Sequence, residues 1–260
     1  LYVDSTKTMH AMSGLDRRIL SRLAQEASSV VEKASMLAAL EQKRRLEREL
    51  ELAKSTQEGL LPRTLPEVPG YAVRALCRPT RYVGGDLYDF IPLGDGRLVS
   101  VLADVSGKGV AASLLSSSVQ GALQMLFRRG LGPDEVLAEL NRYLCDRSEE
   151  GQFVTLFVAV LDEEGRGHYA SAGHHPSLVY RAATKTVDPI RTPGLMLGAI
   201  EGVAYGAEPV ELAPGDVLLI YSDGLSDAES PSGELFQDER IVELTKATGD
   251  GGADGLQVAL

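Results

Sequence analysis

Cysteine is scarce in this chain. Cys77 and Cys145 are the only two among 260 residues, and neither sits in a Cys-x-x-Cys or Cys/His ligand spacing, which argues against a disulfide framework and a zinc site. A reducing, cytoplasmic setting is expected. Basic residues are in deficit as well: 26 of them against 37 acidic ones give a formal net charge of −11. Nonspecific nucleic-acid binding needs cations to replace counterions, so no nucleic-acid partner is expected. Clustered carboxylates would instead suit divalent cations. No apolar run approaches the roughly 20 residues that span a bilayer, and the first residues lack a basic-then-apolar signal, so neither a membrane partner nor secretion is expected.

What is present is ample apolar material, 44% of the chain, for one large domain or a domain with an appendage. Residues 1–5 (LYVDS) read as the end of a β-strand. Ser13 followed by Asp16 is a helix-start signal, and no proline occurs before Pro62. One long helix, or two nearly continuous ones, should fill that interval. Its apolar positions run Leu23, Ala27, Val30, Ala34, Leu37, then Leu46, Leu50, Ala53, Leu60, with a phase shift at the charged block EQKRRLERELE. A stripe this long needs a partner, and a parallel homodimer through this helix is expected, against the blander reading of a solvated spacer.

The stretch PRTLPEVPG then marks a linker. From Tyr71 the pattern predicts strands at 71–78, 86–93, 97–104, 153–161, 167–172, 177–181 and 216–222, interrupted by helices over 109–129 and 133–147. Hairpin-like strands with a separate helical pair predict an α+β fold, not alternating βαβ units.

Two apolar runs end in aspartate beside glycine: GRLVSVLADVSGKG places Asp104 there, and GDVLLIYSDGL places Asp223. If their strands are neighbours, the carboxylates converge at one sheet edge. Asp86 follows Gly84-Gly85, where missing side chains permit close backbone approach. Asp89, three residues on, should face the other way. Converging carboxylates raise one another's pKa values unless a cation compensates, and Mg²⁺ or Mn²⁺ with oxygen ligands would do so. Taken singly, each Asp-Gly is an ordinary turn.

In order, VGGDLYDF (83–90), LADVSGKGVAASLL (102–115), SAGHHPSLV (171–179) and LLIYSDGLSDAESPSGELF (218–236) resemble the protein phosphatase 2C-like superfamily, and within it the bacterial subfamily typified by the sporulation stage II E phosphatase. The resemblance spans about residues 45–260. It implies an αββα four-layer sandwich of two antiparallel sheets with metals at one end. It further implies that Asp86, Asp104 and the Val105 carbonyl hold one or both of two Mn²⁺ or Mg²⁺ ions, that Asp223 serves the ion bridged from Asp104, and that a metal-bridging water is the nucleophile. The activity implied is protein serine/threonine dephosphorylation of an anti-anti-sigma-type regulator. Asp227 matches a commonly acidic position without being read as a ligand. The family pattern has one more metal-binding aspartate, in an Asp-Asp/Asn-x-Thr motif beyond Leu260, so weak binding of the second ion and low activity are expected of the residues given. Upstream, residues 1–34 resemble the last strand and helix of a GAF sensor domain. The implied organisation is a sensor end and signalling helix over 1–45, a linker helix and Pro-rich linker over 46–70, and a phosphatase domain over 71–260.

Of the remaining candidates, Lys108 would help attract phosphate, while SGKGVAAS lacks the first glycine of a phosphate-binding loop. His174 and His175 fit a structural role at least as well as acid catalysis, and their side chains diverge if the backbone is extended. The rival to an enzyme is a noncatalytic dimeric scaffold with a degenerate phosphatase fold.

Overall fold

The computed structural model describes residues 14–62, 64–78, 83–148 and 151–260, so the strand expected at 1–5 lies outside the described residues. The chain divides into two units, Leu1–Leu52 and Ala53–Leu260.

Helix α1 (Gly14–Glu58) runs for 45 residues without proline. Its Leu, Ala, Glu, Lys and Arg content favours helix, and the pairs Lys43–Glu47, Arg45–Glu49 and Lys54–Glu58 reinforce it at i,i+4 spacing. Most of it belongs to the first unit, where Leu23, Val30, Leu37 and Leu46 are exposed. None of its residues is buried.

In the second unit, β1 (Leu87–Pro92) and β2 (Leu98–Val105) form a hairpin, followed by α2 (Val110–Arg128) and α3 (Pro133–Arg147). Then come β3 (Val154–Leu161), β4 (Arg166–Ala172), β5 (Ser177–Arg181), β6 (Thr186–Ile190), β7 (Glu208–Glu211) and β8 (Val217–Leu219). The chain continues through α4 (Asp223–Ser226), α5 (Asp238–Thr248), a 3₁₀ turn and α6 (Gly252–Ala259). Five strands pair antiparallel in the order β1-β2-β3-β4-β7, and three more in the order β6-β5-β8. This is an α+β fold with two antiparallel sheets.

Period-two alternation assigns each face of the larger sheet a different job. Leu87, Val101, Ala103, Leu156 and Val158 pack with Val119, Leu123 and Phe127 of α2 and Leu137 and Leu140 of α3. The opposite face supplies Phe157, Ala159 and Tyr169, packed with Leu218 and Ile220 at the end of the smaller sheet. Leu178 and Tyr221 cluster with Ile241 of α5. Each fully buried leucine or phenylalanine contributes about 1.5–3 kcal/mol.

The residues expected to form a strand at 71–78 carry only a bridge from Tyr71 to Val68. Arg74 instead pairs with Asp254 of α6, and the Ala75 carbonyl accepts from Gln257 at 3.4 Å. The expected strand at 216–222 shortens to three residues because its pairing with β5 ends at Leu219, and Asp223 begins a helical turn. Helix α2, 19 residues long, is apolar enough by length and composition to cross a membrane. Its buried face, however, is a core face: Ala112, Val119, Leu123 and Phe127 are covered by the sheet and α3.

Candidate metal centre

The pairing of β1 with β2 runs Leu87↔Ala103, Tyr88↔Leu102 and onward. Continued one step past its end, this register sets Asp86 opposite Asp104. The two carboxyl groups lie close enough for Asp86 to act on Asp104 through hydrogen bonding as well as charge. One step further, Gly85 lies against Val105: a Cβ at Gly85 would stand 2.5 Å from the Val105 carbonyl oxygen. Only glycine lets the two backbones approach so closely. Asp86, Asp104 and that carbonyl therefore gather at one end of the larger sheet because of register and one absent side chain.

Asp223 arrives from elsewhere. The condition posed for Asp104 and Asp223, neighbouring strands of one sheet, is not met: β2 belongs to the five-stranded sheet, and Asp223 follows β8 of the three-stranded one. The sheets meet so that the Ser222 hydroxyl donates to Asp86 Oδ2 at 2.8 Å, and a Cβ at Gly224 would be 3.8 Å from the same oxygen. Asp223, exposed between them, acts on Asp104 through its charge. Burial, the hydrogen bond and charge of Asp86, and the charge of Asp223 push the Asp104 carboxyl up to about 7.

No ion pair among the described residues relieves these three carboxylates. Nor do three acidic, histidine or cysteine side chains among the described residues close to ligand distance. Two carboxylates meet, and the third stands off. The donors are carboxylate and carbonyl oxygens with uncompensated negative charge, a set that fits a hard divalent cation and not zinc.

Asp89 faces the other way, as alternation requires. It is buried and accepts from Gln124 at 2.7 Å and Gln120 at 3.3 Å, both on α2. Lys108 is exposed on the turn between β2 and α2, and no ion pair joins it to the carboxylates among the described residues. Asp227 is also exposed.

Sequence reasoning missed three contributors, Ser222, Thr155 and Gln57, and it read His174 as structural at least as readily as catalytic without seeing its partners. His174 is buried, with Nδ1 2.9 Å from Thr155 Oγ1 and Nε2 3.1 Å from the Tyr221 carbonyl. Burial, followed by the neighbouring charge of His175, drives its pKa down to about 4. The two histidines do not diverge as an extended backbone would make them. Gly173 at φ +62° breaks the strand, and the His175 ring also lies beside Tyr221, centroids 6.3 Å apart. Gln57, near the end of α1, bonds both backbone groups of Gly84, two residues from Asp86. A glutamine within a charged helix carries no signal of that contact.

The sequence model of stage II sporulation protein E (SpoIIE) matches residues 94–259 of the chain, which include Asp104, Val105, Lys108, His174 and Asp223 but not Asp86. The chain belongs to the SpoIIE family. Among relatives, it is 31% identical over 189 residues to phosphoserine phosphatase RsbU of Bacillus subtilis strain 168, covering 72% of this chain and 56% of that protein. Phosphoserine phosphatase RsbP of the same strain is 26% identical, covering 69% of this chain and 45% of that one. This SpoIIE-family chain thus spans about half the length of these curated relatives. Among solved structures, the RsbU and RsbW domains of Rv1364c from Mycobacterium tuberculosis superpose with a TM-score of 0.59 at 28% identity, over 70% of this chain and 52% of that one. The SiaA-PP2C domain of Pseudomonas aeruginosa superposes with a TM-score of 0.66 over 84% and 88% of the two chains; at 17% identity it speaks for the fold alone.

Proposed function

We propose that this chain is a metal-dependent protein serine/threonine phosphatase acting on a phosphorylated regulator of the anti-anti-sigma type. The observation that carries the reading is the cross-strand meeting of Asp86 and Asp104 beside the Val105 carbonyl, at the end where Asp223 arrives from the second sheet. Support for the reaction comes from SpoIIE-family membership and from two relatives named phosphoserine phosphatases. The packing clusters support the αββα four-layer reading, with α2 and α3 outside one sheet and α5 against the other.

Asp86, Asp104, the Val105 carbonyl and Asp223 would hold Mn²⁺ or Mg²⁺, two ions in the complete site. When bound, the metal supplies activation of water and neutralisation of phosphoryl charge. The chain's own residues do the rest. Ser222 orients Asp86, the Asp86–Asp104 pair concentrates negative charge that a bound cation would relieve, and exposed Lys108 draws the phosphate inward. Scarce cysteine supports a cytoplasmic setting, and the relatives support a place in partner switching. Residues 1–45 are read as the end of a GAF-like sensor with its signalling helix, which joins two copies.

The test is Mn²⁺-dependent hydrolysis of p-nitrophenyl phosphate and of a phosphoserine-bearing anti-anti-sigma protein by the purified protein. Asp104→Ala and Asp223→Ala should each lower turnover by about 100-fold or more. Unchanged activity in either variant overturns the site. Partner binding with no turnover even at saturating Mn²⁺ would favour the noncatalytic scaffold.

A further inference from the structure

We infer that His174 is a positioning residue: it fixes the Tyr221–Asp223 segment of the smaller sheet at a set distance from the Asp86–Asp104 pair of the larger one. The inference rests on the reading of Asp86, Asp104 and Asp223 as metal ligands.

β2 and β3 pair Asp104 with Thr155. Alternation puts both side chains on the face turned toward the smaller sheet, because Ala103, Val105, Val154 and Leu156 fill the helix-facing side. Asp86, Asp104 and Thr155 therefore form a row across the end of the larger sheet. Thr155 bonds His174 Nδ1 at 2.9 Å, and His174 Nε2 bonds the Tyr221 carbonyl at 3.1 Å. Two residues after Tyr221 comes Asp223. From the other side, Ser222 reaches back to Asp86 at 2.8 Å. The connections close a ring running Asp86, Asp104, Thr155, His174, Tyr221 and Ser222, with one tie between the sheets at each end.

The chemistry of the two partners fixes the ring's state. A carbonyl oxygen only accepts, so Nε2 carries the proton, and Nδ1 accepts from the Thr155 hydroxyl. Both nitrogens are engaged and the ring is buried, which removes His174 as a general acid. A simple core residue would not need this arrangement: an apolar side chain of the same size would leave a hydroxyl and a carbonyl unsatisfied. The loop that presents His174 is itself held. Gly173, at φ +62°, bonds the Gly194 carbonyl, and a Cβ there would stand 2.8 Å from the Met196 nitrogen.

Burial of His174 between the sheets makes it the spacer for ligands that no single sheet could bring together. Because Asp86 and Asp104 already meet, loosening the spacer should affect the approach of Asp223 and leave the other two in place.

The experiment measures Mn²⁺ affinity by titration calorimetry, with thermal denaturation of the metal-free protein alongside. Thr155→Val, which keeps shape but removes the hydroxyl, and His174→Leu should each bind Mn²⁺ about 10-fold more weakly. His174→Gln, whose amide offers an acceptor and a donor at a similar spacing, should stay within about threefold of the parent. Val136→Ala, a core truncation on α3, should lower the melting temperature at least as much as Thr155→Val while leaving affinity unchanged. That outcome separates positioning from general loss of stability. Asp104→Ala is the control for the underlying reading: if it binds Mn²⁺ like the parent, the ligand assignment fails. If Asp104→Ala loses binding while folded Thr155→Val and His174→Leu retain parental affinity, the positioning role fails and the metal site stands. Should His174→Leu not fold, Thr155→Val and His174→Gln decide alone.

Discussion

The side-chain amide of Gln57 grips the backbone of Gly84 from both sides, Nε2 donating to its carbonyl at 2.7 Å and Oε1 accepting from its N–H at 3.2 Å. Gly84 precedes Gly85 and Asp86, so the last turn of α1 is fastened to the segment that sets one carboxylate. Nearby, Gln120 of α2 donates both to the Leu60 carbonyl and to Asp89 of β1. A shift of α1 about its axis would carry Gln57 with it. We predict that Gln57→Ala lowers Mn²⁺ affinity by about 3- to 10-fold with little change in fold. Calorimetric titration checks this, and a parental affinity would remove α1 as a control on the site. Removal of residues 1–45 should likewise change Mn²⁺ affinity or activity.

Gly85 offers a harsher test of the same segment. A methyl group placed there would meet the Val105 carbonyl oxygen at 2.5 Å, and neither partner is a flexible side chain that could move aside. Gly85→Ala should push β1 and β2 apart at their ends and cost about 1–3 kcal/mol. Denaturant unfolding would measure the loss, and Mn²⁺ titration should show affinity falling in step. A variant of parental stability and affinity would mean that the strands do not approach this closely in solution.

Much of the larger sheet was legible because its central strands are buried and continuous. VLADV and VTLFVAVL read as strands from apolar content alone, and the predicted bounds of α2 and α3 fall within one residue of those observed. The edges were not legible. β6 (TVDPI) and β7 (EPVE) each carry a proline and charge, which argue against a strand. Both are edge strands, where a missing N–H faces no partner. Residues 71–78 erred in the opposite direction, an alternating pattern that pairs with side chains of α6 in place of a sheet. For the site, local glycine context marked Asp86, Asp104 and Asp223 as candidates. That Asp104 and Asp223 come from different sheets depends on strand order, which local pattern does not encode. Thr155 and Ser222 gave no signal because a single hydroxyl on a strand is as common in ordinary surfaces as in sites.

His174 makes stability depend on pH in a defined window. Its folded pKa of about 4 lies below the ordinary 6.5, so between those values the unfolded chain binds a proton that the folded one does not. The contribution is fully present above about pH 6.5, is lost progressively as pH falls toward 4, and changes no further below that. The shift corresponds to something on the order of 3 kcal/mol. The raised Asp104 carboxyl shifts stability the opposite way over the same range, so the His174 contribution is read as a difference: between pH 7.5 and pH 5, urea unfolding of the metal-free parent should change less favourably than that of His174→Gln, which does not titrate. Equal changes in both proteins would assign the pH dependence to other groups.

The exposed stripe on α1 predicts association. Leu23, Val30, Leu37 and Leu46 are each more than half exposed, and apolar side chains repeated along a helix of this length are stabilised chiefly by a second helix. Toward the C-terminal end of the helix three i,i+4 ion pairs, Lys43–Glu47, Arg45–Glu49 and Lys54–Glu58, satisfy charges within the helix itself, whereas the apolar positions gain only from burial. Burying one such leucine contributes about 1.5–3 kcal/mol, so a charge at a single position should be enough to shift the equilibrium. We predict that light scattering at micromolar concentration gives twice the monomer mass for the parent and the monomer mass for Leu37→Lys. Glu32→Lys, beyond the apolar stripe on the same helix, should remain dimeric. If Mn²⁺ affinity is also read in Leu37→Lys, a fall would tie assembly to the Gln57 contact, whereas a monomeric protein with parental affinity would separate the dimer from control of the site. A parent that is monomeric across this range would refute association through α1.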